Sequence, residues 1–144
     1  MTEVKFYFNV EHRLTYACTL AKKAVAGGHR LIVYAPDAAR ANEFDRLLWT
    51  FSQASFVPHV RAGHALASET PVVIVSDDAD LPHHEALLNL SDEPPPFFSR
   101  FSLLREVVSQ HGEDRLLARE RHKFYKSRGF SVETLDMAAT AAKA

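Results

Sequence analysis

Short continuous apolar runs alternate with amphipathic stretches along the first third of the chain. Residues 4–8 and 31–34 are rich in β-branched and aromatic side chains, which is typical of strands. Residues 14–26 and 38–49 repeat apolar positions at spacings of three and four, which predicts two helices. Asp37 can cap the second helix. This order of strand, helix, strand and helix predicts a parallel sheet with right-handed crossovers.

The rest of the chain continues the mixed pattern. Residues 72–75, 86–90 and 130–137 are predicted strands, and residues 114–127 a helix. A further helix is predicted over residues 97–108, with Phe97, Phe101, Leu104 and Val108 on one helical stripe, and Gly112 is expected to end it. We therefore expect a three-layer, Rossmann-like α/β fold with a mostly parallel sheet flanked by helices. One domain is expected over residues 1–137, followed by a flexible tail over residues 138–144.

Composition narrows the class of protein. The chain has 144 residues, of which 47% are apolar, and such a length can bury a substantial core. No apolar run approaches the ~18 residues that span a bilayer. Cys18 is the single cysteine and lies in an apolar helical stretch, so we expect a buried, unreactive thiol. These features favour a soluble, cytoplasmic protein without a membrane partner.

Charge is distributed unevenly. The net charge is −1, but residues 115–128 contain six Lys or Arg against one acid, Glu120. That segment therefore carries +5 and the remainder −6. A basic segment of this kind indicates a negatively charged partner more strongly than the net charge does.

On a helical wheel, Leu117 and Phe124 point to one side, which we predict to be the inner side. A basic stripe lies opposite, formed by Arg115, Arg119, His122, Lys123 and Lys126. Arg121 and Arg128 fall near the inner side and are expected to make structural contacts. A solvent-exposed helix face is usually charged, so exposure alone would explain why these residues are charged. It does not explain why they carry the same sign, because like charges four positions apart repel each other and destabilise the helix. The stripe thus favours binding of a carboxylate, an acidic peptide or a phosphate backbone.

Two aromatic residues form a second candidate surface. Trp49 ends the predicted second helix, and Phe56 lies in a short apolar segment that follows it. Both could belong to the core. Alternatively, they form an apolar patch for another subunit, because aromatic residues dominate protein interfaces.

Known catalytic and cofactor motifs are absent from the sequence. It contains no G-x-G-x-x-G, no G-x-x-x-x-G-K-[ST], no G-x-S-x-G and no H-E-x-x-H. His83 and His84 are adjacent on a predicted loop and are expected to be surface residues rather than metal ligands. We therefore predict no catalytic site, no metal and no cofactor.

Several segments together resemble a known family. They are KFYF at residues 5–8, RLLW at 46–49, SFVPH at 55–59 and LARER at 117–121. Their order and separations are similar to those of the chi subunit of bacterial DNA polymerase III along nearly the whole chain.

This resemblance implies a non-catalytic accessory subunit of the polymerase holoenzyme that acts in DNA replication. Chi subunits have a Rossmann-like fold without a nucleotide site. They pair one-to-one with the psi subunit, which tethers them to the clamp loader. They also bind the acidic C-terminal tail of single-stranded-DNA-binding protein, which ends in a hydrophobic residue and its free carboxylate, so contact with nucleic acid is mostly indirect.

The resemblance also assigns residues. Arg119 is the conspicuous arginine of the family's tail pocket, Arg115 is the basic residue one turn earlier, and Val108 is an apolar wall from the preceding helix. His122 stands where family members often have tyrosine. Arg115 and Lys123 would attract the acids of the tail, and Lys126 of the same basic stripe belongs to the predicted tail-binding surface. The psi-facing aromatic residues correspond to Trp49 and Phe56.

Two other classes of function compete with this interpretation. One is a direct nucleic-acid-binding module that uses the basic helix from Arg115 to Lys126; the lack of interleaved aromatic residues for base stacking weighs against it. The other is a small enzyme with a histidine-based site, which a pocket of perturbed titratable groups would support.

Overall fold

A single parallel sheet of seven strands organises the residues that the structure describes, which are 2–50 and 57–138 of a computed structural model. The strands are β1 Glu3–Val10, β2 Leu31–Tyr34, β3 His59–Arg61, β4 Val72–Val75, β5 Ala86–Asn89, β6 Leu103–Ser109 and β7 Ser131–Asp136. The helices are α1 Arg13–Ala26, α2 Ala38–Thr50 and α3 Gly112–Ser127, with short 3₁₀ helices at Ala67–Glu69 and Phe98–Arg100.

The order of strands across the sheet is β3-β4-β2-β5-β6-β1-β7, and every neighbouring pair is parallel. Parallel strands cannot be joined by tight hairpins and need crossover connections; α1 lies in the connection from β1 to β2, and α2 in the connection from β2 to β3. The predicted three-layer, Rossmann-like α/β fold is confirmed.

The central strands are apolar along their whole length because helices or loops cover both of their faces. Leu31 and Val33 of β2 pack into the core with α1 and α2, whereas Ile32 packs into the core with α3. Neighbouring β4 pairs with β2 in a register that sets Leu31 opposite Val72, and its four residues are all buried. The continuous apolar runs in the sequence therefore predicted these strands well.

Helix α2 begins as the sequence predicted. The carboxylate Oδ2 of Asp37 accepts a hydrogen bond from the backbone N–H of Arg40 over 3.0 Å, which satisfies a donor at the open end of the helix. The inner side of α2 consists of Ala41, Phe44 and Leu48, which are buried against α1 and the sheet.

The predicted helix over residues 97–108 is wrong. Phe98–Arg100 is a 3₁₀ turn, and Leu103–Ser109 is strand β6 in the middle of the sheet. Leu104 and Val108 do lie on one face, but they do so because alternate strand residues share a face. A strand buried on both sides lacks a clean two-residue alternation, so its spacing here imitated a helix.

Gly112 does not end a helix but is the first residue of α3. Glu113 and Asp114 follow it in the first turn, where carboxylates interact favourably with the positive end of the helix dipole. The Oδ2 atom of Asp114 also accepts the backbone N–H of Ser109 over 2.7 Å, which joins the start of α3 to the end of β6.

An arginine side chain lies at the carboxyl ends of β5 and β6. Arg13 donates from Nε to the carbonyl of Val107 over 2.9 Å and from Nη2 to the carbonyl of Ser91 over 2.8 Å. These bonds satisfy carbonyl groups at the edge where ligands of open α/β sheets usually bind.

Three further predictions concern the cysteine, membrane-spanning helices and the domain boundary. Cys18 is fully buried, and burial raises the pKa of its thiol to about 12, as expected for an unreactive cysteine. In the described part of the chain, no helix is long and apolar enough to cross a membrane. The division into a domain of residues 1–137 and a tail of residues 138–144 stays a prediction, because residues 139–144 lie outside the described ranges.

Candidate partner-binding site

Helix α3 packs on the sheet through a different side from the one predicted. Its buried residues are Ala118, Arg121 and Tyr125, whereas Leu117 and Phe124 are half-buried at the flanks. The inner side is thus turned by roughly 80° from the predicted one, taking 100° per residue. This rotation is possible because the predicted structural role of Arg121 is correct: it pairs with buried Glu106 of β6 at 3.0 Å.

A pocket of about 230 Å³ lies between α3 and the sheet; we call it the α3 pocket. Its apolar lining comes from Phe6 and Phe8 on β1, Val108 on β6 and Ala118 on α3. Its polar and charged lining comes from Asn9, Ser109, Arg115, Arg119, His122 and Thr134. The arrangement can therefore hold an apolar side chain beside an anionic group.

Four of the six residues predicted to bind a partner's tail line this pocket. They are Val108, Arg115, Arg119 and His122. Val108 lies on strand β6 rather than on the predicted helix, yet it still forms the apolar wall. The basic stripe follows from the sequence of one helix alone, and the pocket groups three of its residues, Arg115, Arg119 and His122, with an apolar surface.

The two remaining predicted residues lie on α3 outside the pocket lining. Lys123 is exposed, and its Nζ is 3.7 Å from the Oε1 of Glu120. Lys126 is also exposed and contributes positive charge close to His122. The basic stripe is thus partly neutralised at Lys123 by an acid of the same helix.

Arg115 and Arg119 have no such acid. Both are exposed, they are four residues apart on α3, and neither forms an ion pair within residues 2–50 and 57–138. Because guanidinium groups bind carboxylates through two parallel hydrogen bonds, each can receive an external carboxylate.

His122 joins the basic rim to the apolar floor of the α3 pocket. Its ring centroid is 5.3 Å from that of Phe6, at an interplanar angle of 56°. Partial burial, and then the positive charge of Lys126, lower the pKa of His122 below its usual 6.5. The ring is therefore predominantly neutral at pH 7 in the unliganded protein.

Of the two aromatic residues predicted to form a subunit interface, Trp49 and Phe56, the structure describes Trp49. Trp49 lies near the end of α2 and is 57% exposed. Its ring packs on buried His59 with centroids 4.8 Å apart, and the Nδ1 of His59 is 2.7 Å from the carbonyl oxygen of Val57. The Nε2 atom of His59 is 2.9 Å from the Oδ1 of Asp45, although without the angle of a hydrogen bond. Phe56 lies outside the described residues.

One prediction about histidines is wrong. His83, expected at the surface with exposed His84, is 8% exposed. Its Nδ1 accepts the backbone N–H of Glu85 over 3.3 Å, and burial, followed by the charge of Arg30, lowers its pKa to about 4. Within the described ranges, no group of three or more His, Cys, Asp or Glu is placed to hold a metal ion.

Sequence reasoning missed the part of the α3 pocket that β1 and β7 supply. The missed residues are Phe6, Phe8, Asn9 and Thr134. Phe6 and Phe8 are two positions apart, so strand alternation alone places them on one face. That signal did not show that α3 would pack above this face.

The fold and the α3 pocket define an α/β domain that carries an apolar pocket with a cationic rim. Comparison with known proteins identifies its family: residues 1–133 match the family model described as "DNA polymerase III chi subunit, HolC". The DNA polymerase III subunit chi of Pseudomonas aeruginosa is 33% identical over 137 residues, which cover 92% of this chain and 95% of that protein. The subunit chi proteins of Haemophilus influenzae and Escherichia coli are 30% and 29% identical and cover 82% and 81% of the chain, or 83% and 80% of their own lengths.

The chain therefore belongs to the DNA polymerase III chi subunit family. The resemblance found in the sequence is confirmed. Membership of this family makes the protein an accessory subunit of DNA replication.

Proposed function

We propose that the protein is a non-catalytic adaptor that binds two partners through separate surfaces. The α3 pocket binds the acidic C-terminal tail of single-stranded-DNA-binding protein. The surface around Trp49 binds the psi subunit, which tethers the complex to the clamp loader. The adaptor acts in the cytoplasm and, on this proposal, needs no metal, cofactor or catalytic site of its own.

The observation that carries this proposal is the position of Arg119 and Arg115 beside an apolar pocket, where neither forms an ion pair with any acid of the described residues. A free guanidinium next to Phe8 and Val108 suits a peptide end that combines a carboxylate with a hydrophobic side chain. Arg119 would bind the terminal carboxylate through its planar fork, and the hydrophobic side chain would enter the apolar part of the pocket.

Charge outside the pocket supports an acidic partner. Lys126 and Lys123 extend the positive surface along α3 and would attract the acids that precede the end of the tail. The rest of the protein carries −6, so the positive region is local and would orient an acidic peptide. Such binding weakens as salt concentration rises, because exposed charges are screened.

Exposure of Trp49 supports the second surface. A large indole that is more than half exposed and packs on a buried histidine ring is held in place yet accessible. Aromatic side chains of this kind act as anchors at the centre of interfaces. Phe56 is proposed as the second aromatic residue of the psi interface on the family resemblance.

A calorimetric titration tests the tail-binding proposal. The protein is titrated with a peptide of the last several residues of the partner's tail, once with a free terminal carboxylate and once with a terminal amide. We expect saturable binding of the free acid and markedly weaker binding of the amide. Equal affinity for both peptides would remove the terminal carboxylate from the proposal.

A direct nucleic-acid-binding module is the competing function, since Lys123 and Lys126 lie outside the pocket and could contact phosphates. Titration with single-stranded DNA in the same buffer separates the two. Tighter binding of DNA than of the tail peptide would favour the nucleic-acid module.

A further inference from the structure

Asn9 lies at the wall of the α3 pocket in an unusual backbone conformation. Its φ is 63°, and among the described residues it is the one non-glycine position with a positive φ. This left-handed region is unfavourable for most side chains, and asparagine tolerates it better than most. The pairing of β1 with β6 shifts register between Tyr7 and Val10, so Asn9 occupies a β-bulge. Bulges often redirect a side chain beside a functional site.

Asn9 is held in place by Asp136 on the neighbouring strand β7 and by Gln110, which directly follows strand β6. Its side-chain Nδ2 donates to the Oδ1 of Asp136 on β7 over 3.1 Å, and its carbonyl accepts the Nε2 of Gln110 over 3.3 Å. The bond to Asp136 uses one of the two N–H groups of the amide. Within the described part of the chain, no hydrogen bond engages the second N–H, and Asn9 is half-buried.

We propose that Asn9 is a further ligand-binding residue of the α3 pocket. Its second amide N–H donates to the terminal carboxylate of the bound tail, a role that rests on the proposed function. A carboxylate offers about four lone-pair positions, and a bidentate arginine uses two of them. Arg119 and Asn9 line the same pocket, and on this proposal the two side chains bind the same carboxylate.

The amide is suited to this position because of its neighbour. Asp136 places a carboxylate within hydrogen-bond distance of Asn9, close to where a second carboxylate would bind. Asn9 donates to Asp136 with one N–H and is left with a donor for the ligand. An aspartate at position 9 would instead add a third negative charge to the same region.

Two variants separate this role from the backbone role of Asn9. Asn9→Gly keeps the positive φ without strain and removes the amide. Asn9→Asp also tolerates the conformation but replaces the donor with a charged acceptor. Both variants and the wild type are titrated by calorimetry with the free-acid and the amidated tail peptides, and thermal melts check that each variant is folded.

We expect Asn9→Gly to bind the free-acid peptide about fivefold more weakly, the loss typical of one hydrogen bond. Its affinity for the amidated peptide should change less than about twofold, because the carboxylate is absent. Asn9→Asp should bind the free acid more weakly than Asn9→Gly. Wild-type affinity in Asn9→Gly, or an equal loss for both peptides, would overturn the inference.

Arg119→Ala in the same titrations distinguishes this inference from the function on which it rests. If Arg119→Ala loses the free acid while Asn9→Gly keeps it, the role of Asn9 is wrong and the tail-binding function stands. If the wild type binds neither peptide, both are wrong.

Discussion

The guanidinium of Arg121 on α3 and the carboxylate of Glu106 on β6 form a buried ion pair. Arg121 donates from Nε to Oε1 of Glu106 over 3.0 Å, and neither side chain is more than 1% exposed. Tyr125 and Asn89 donate to the other oxygen, Oε2, over 2.6 Å and 2.9 Å. This network fixes the rotation of α3 on the sheet and so places Arg119 at the edge of the α3 pocket.

Replacing one partner of the pair should destabilise the fold strongly. Arg121→Met leaves the carboxylate of Glu106 buried without its cation, which costs about 3–5 kcal/mol in buried ion pairs. Urea unfolding followed by circular dichroism measures the free energy of unfolding. Arg115→Ala, an exposed change on the same helix, is the matched control and should alter it by less than about 0.5 kcal/mol. Similar values for the two variants would show that the pair contributes little.

Removing Arg119 should weaken tail binding without unfolding the protein. Arg119→Ala deletes a charge-assisted contact to the terminal carboxylate, so we expect a loss of about 1.5–3 kcal/mol in binding free energy by calorimetry. Arg46→Ala serves as the charge-matched control, because Arg46 lies on α2 and pairs with Glu43. An unchanged titration with Arg119→Ala would refute its assignment as the carboxylate-binding residue.

The fold could be predicted where a local signal decides the structure. The apolar runs of β2 and β4 and the capping carboxylate of Asp37 are such signals, and all three predictions are confirmed. Strand β6 was missed because both of its faces are covered, so its apolar spacing carried no two-residue period. Which elements pack on a strand depends on the tertiary structure, and the sequence of the strand itself does not show it.

The candidate site shows the same limit. The same-sign charges of Arg115 and Arg119 are visible in the sequence, since they depend on residues of one helix. The sequence predicts a structural role for Arg121, but its partner Glu106 is fifteen residues away on a strand whose apolar spacing predicts a helix. Asn9 could not be found at all, because its place in the pocket depends on a bulge between two strands.

Removing the indole of Trp49 should weaken psi binding. A partly exposed aromatic anchor contributes about 2 kcal/mol or more to interfaces of this kind, so Trp49→Ala should reduce co-purification of psi and its affinity in calorimetry. Leu66→Ala is a matched control, because Leu66 is exposed to a similar extent, 52% against 57%. If Trp49→Ala bound psi as tightly as Leu66→Ala and the wild type do, Trp49 would not belong to the psi interface.

Tail binding should become stronger as the pH falls, through His122. In the free protein, burial and Lys126 hold the pKa of His122 below 6.5. A carboxylate bound in the α3 pocket favours the charged imidazolium and raises that pKa in the complex. The complex therefore binds protons more tightly than the free protein, so affinity increases as the pH falls through the bound-state pKa and levels off below the free-state pKa.

Calorimetric titrations between about pH 5 and pH 7.5 measure this dependence while the acids of the tail stay ionised. We expect affinity to rise modestly as the pH falls across that range, because the bound carboxylate raises the pKa of His122 above that of the free protein. His122→Gln keeps a polar side chain that does not titrate, so its affinity should be flat over the same range. Because Arg119 stays charged throughout, a rise that persists in His122→Gln would have to come from another titratable group and would exclude His122 as its source.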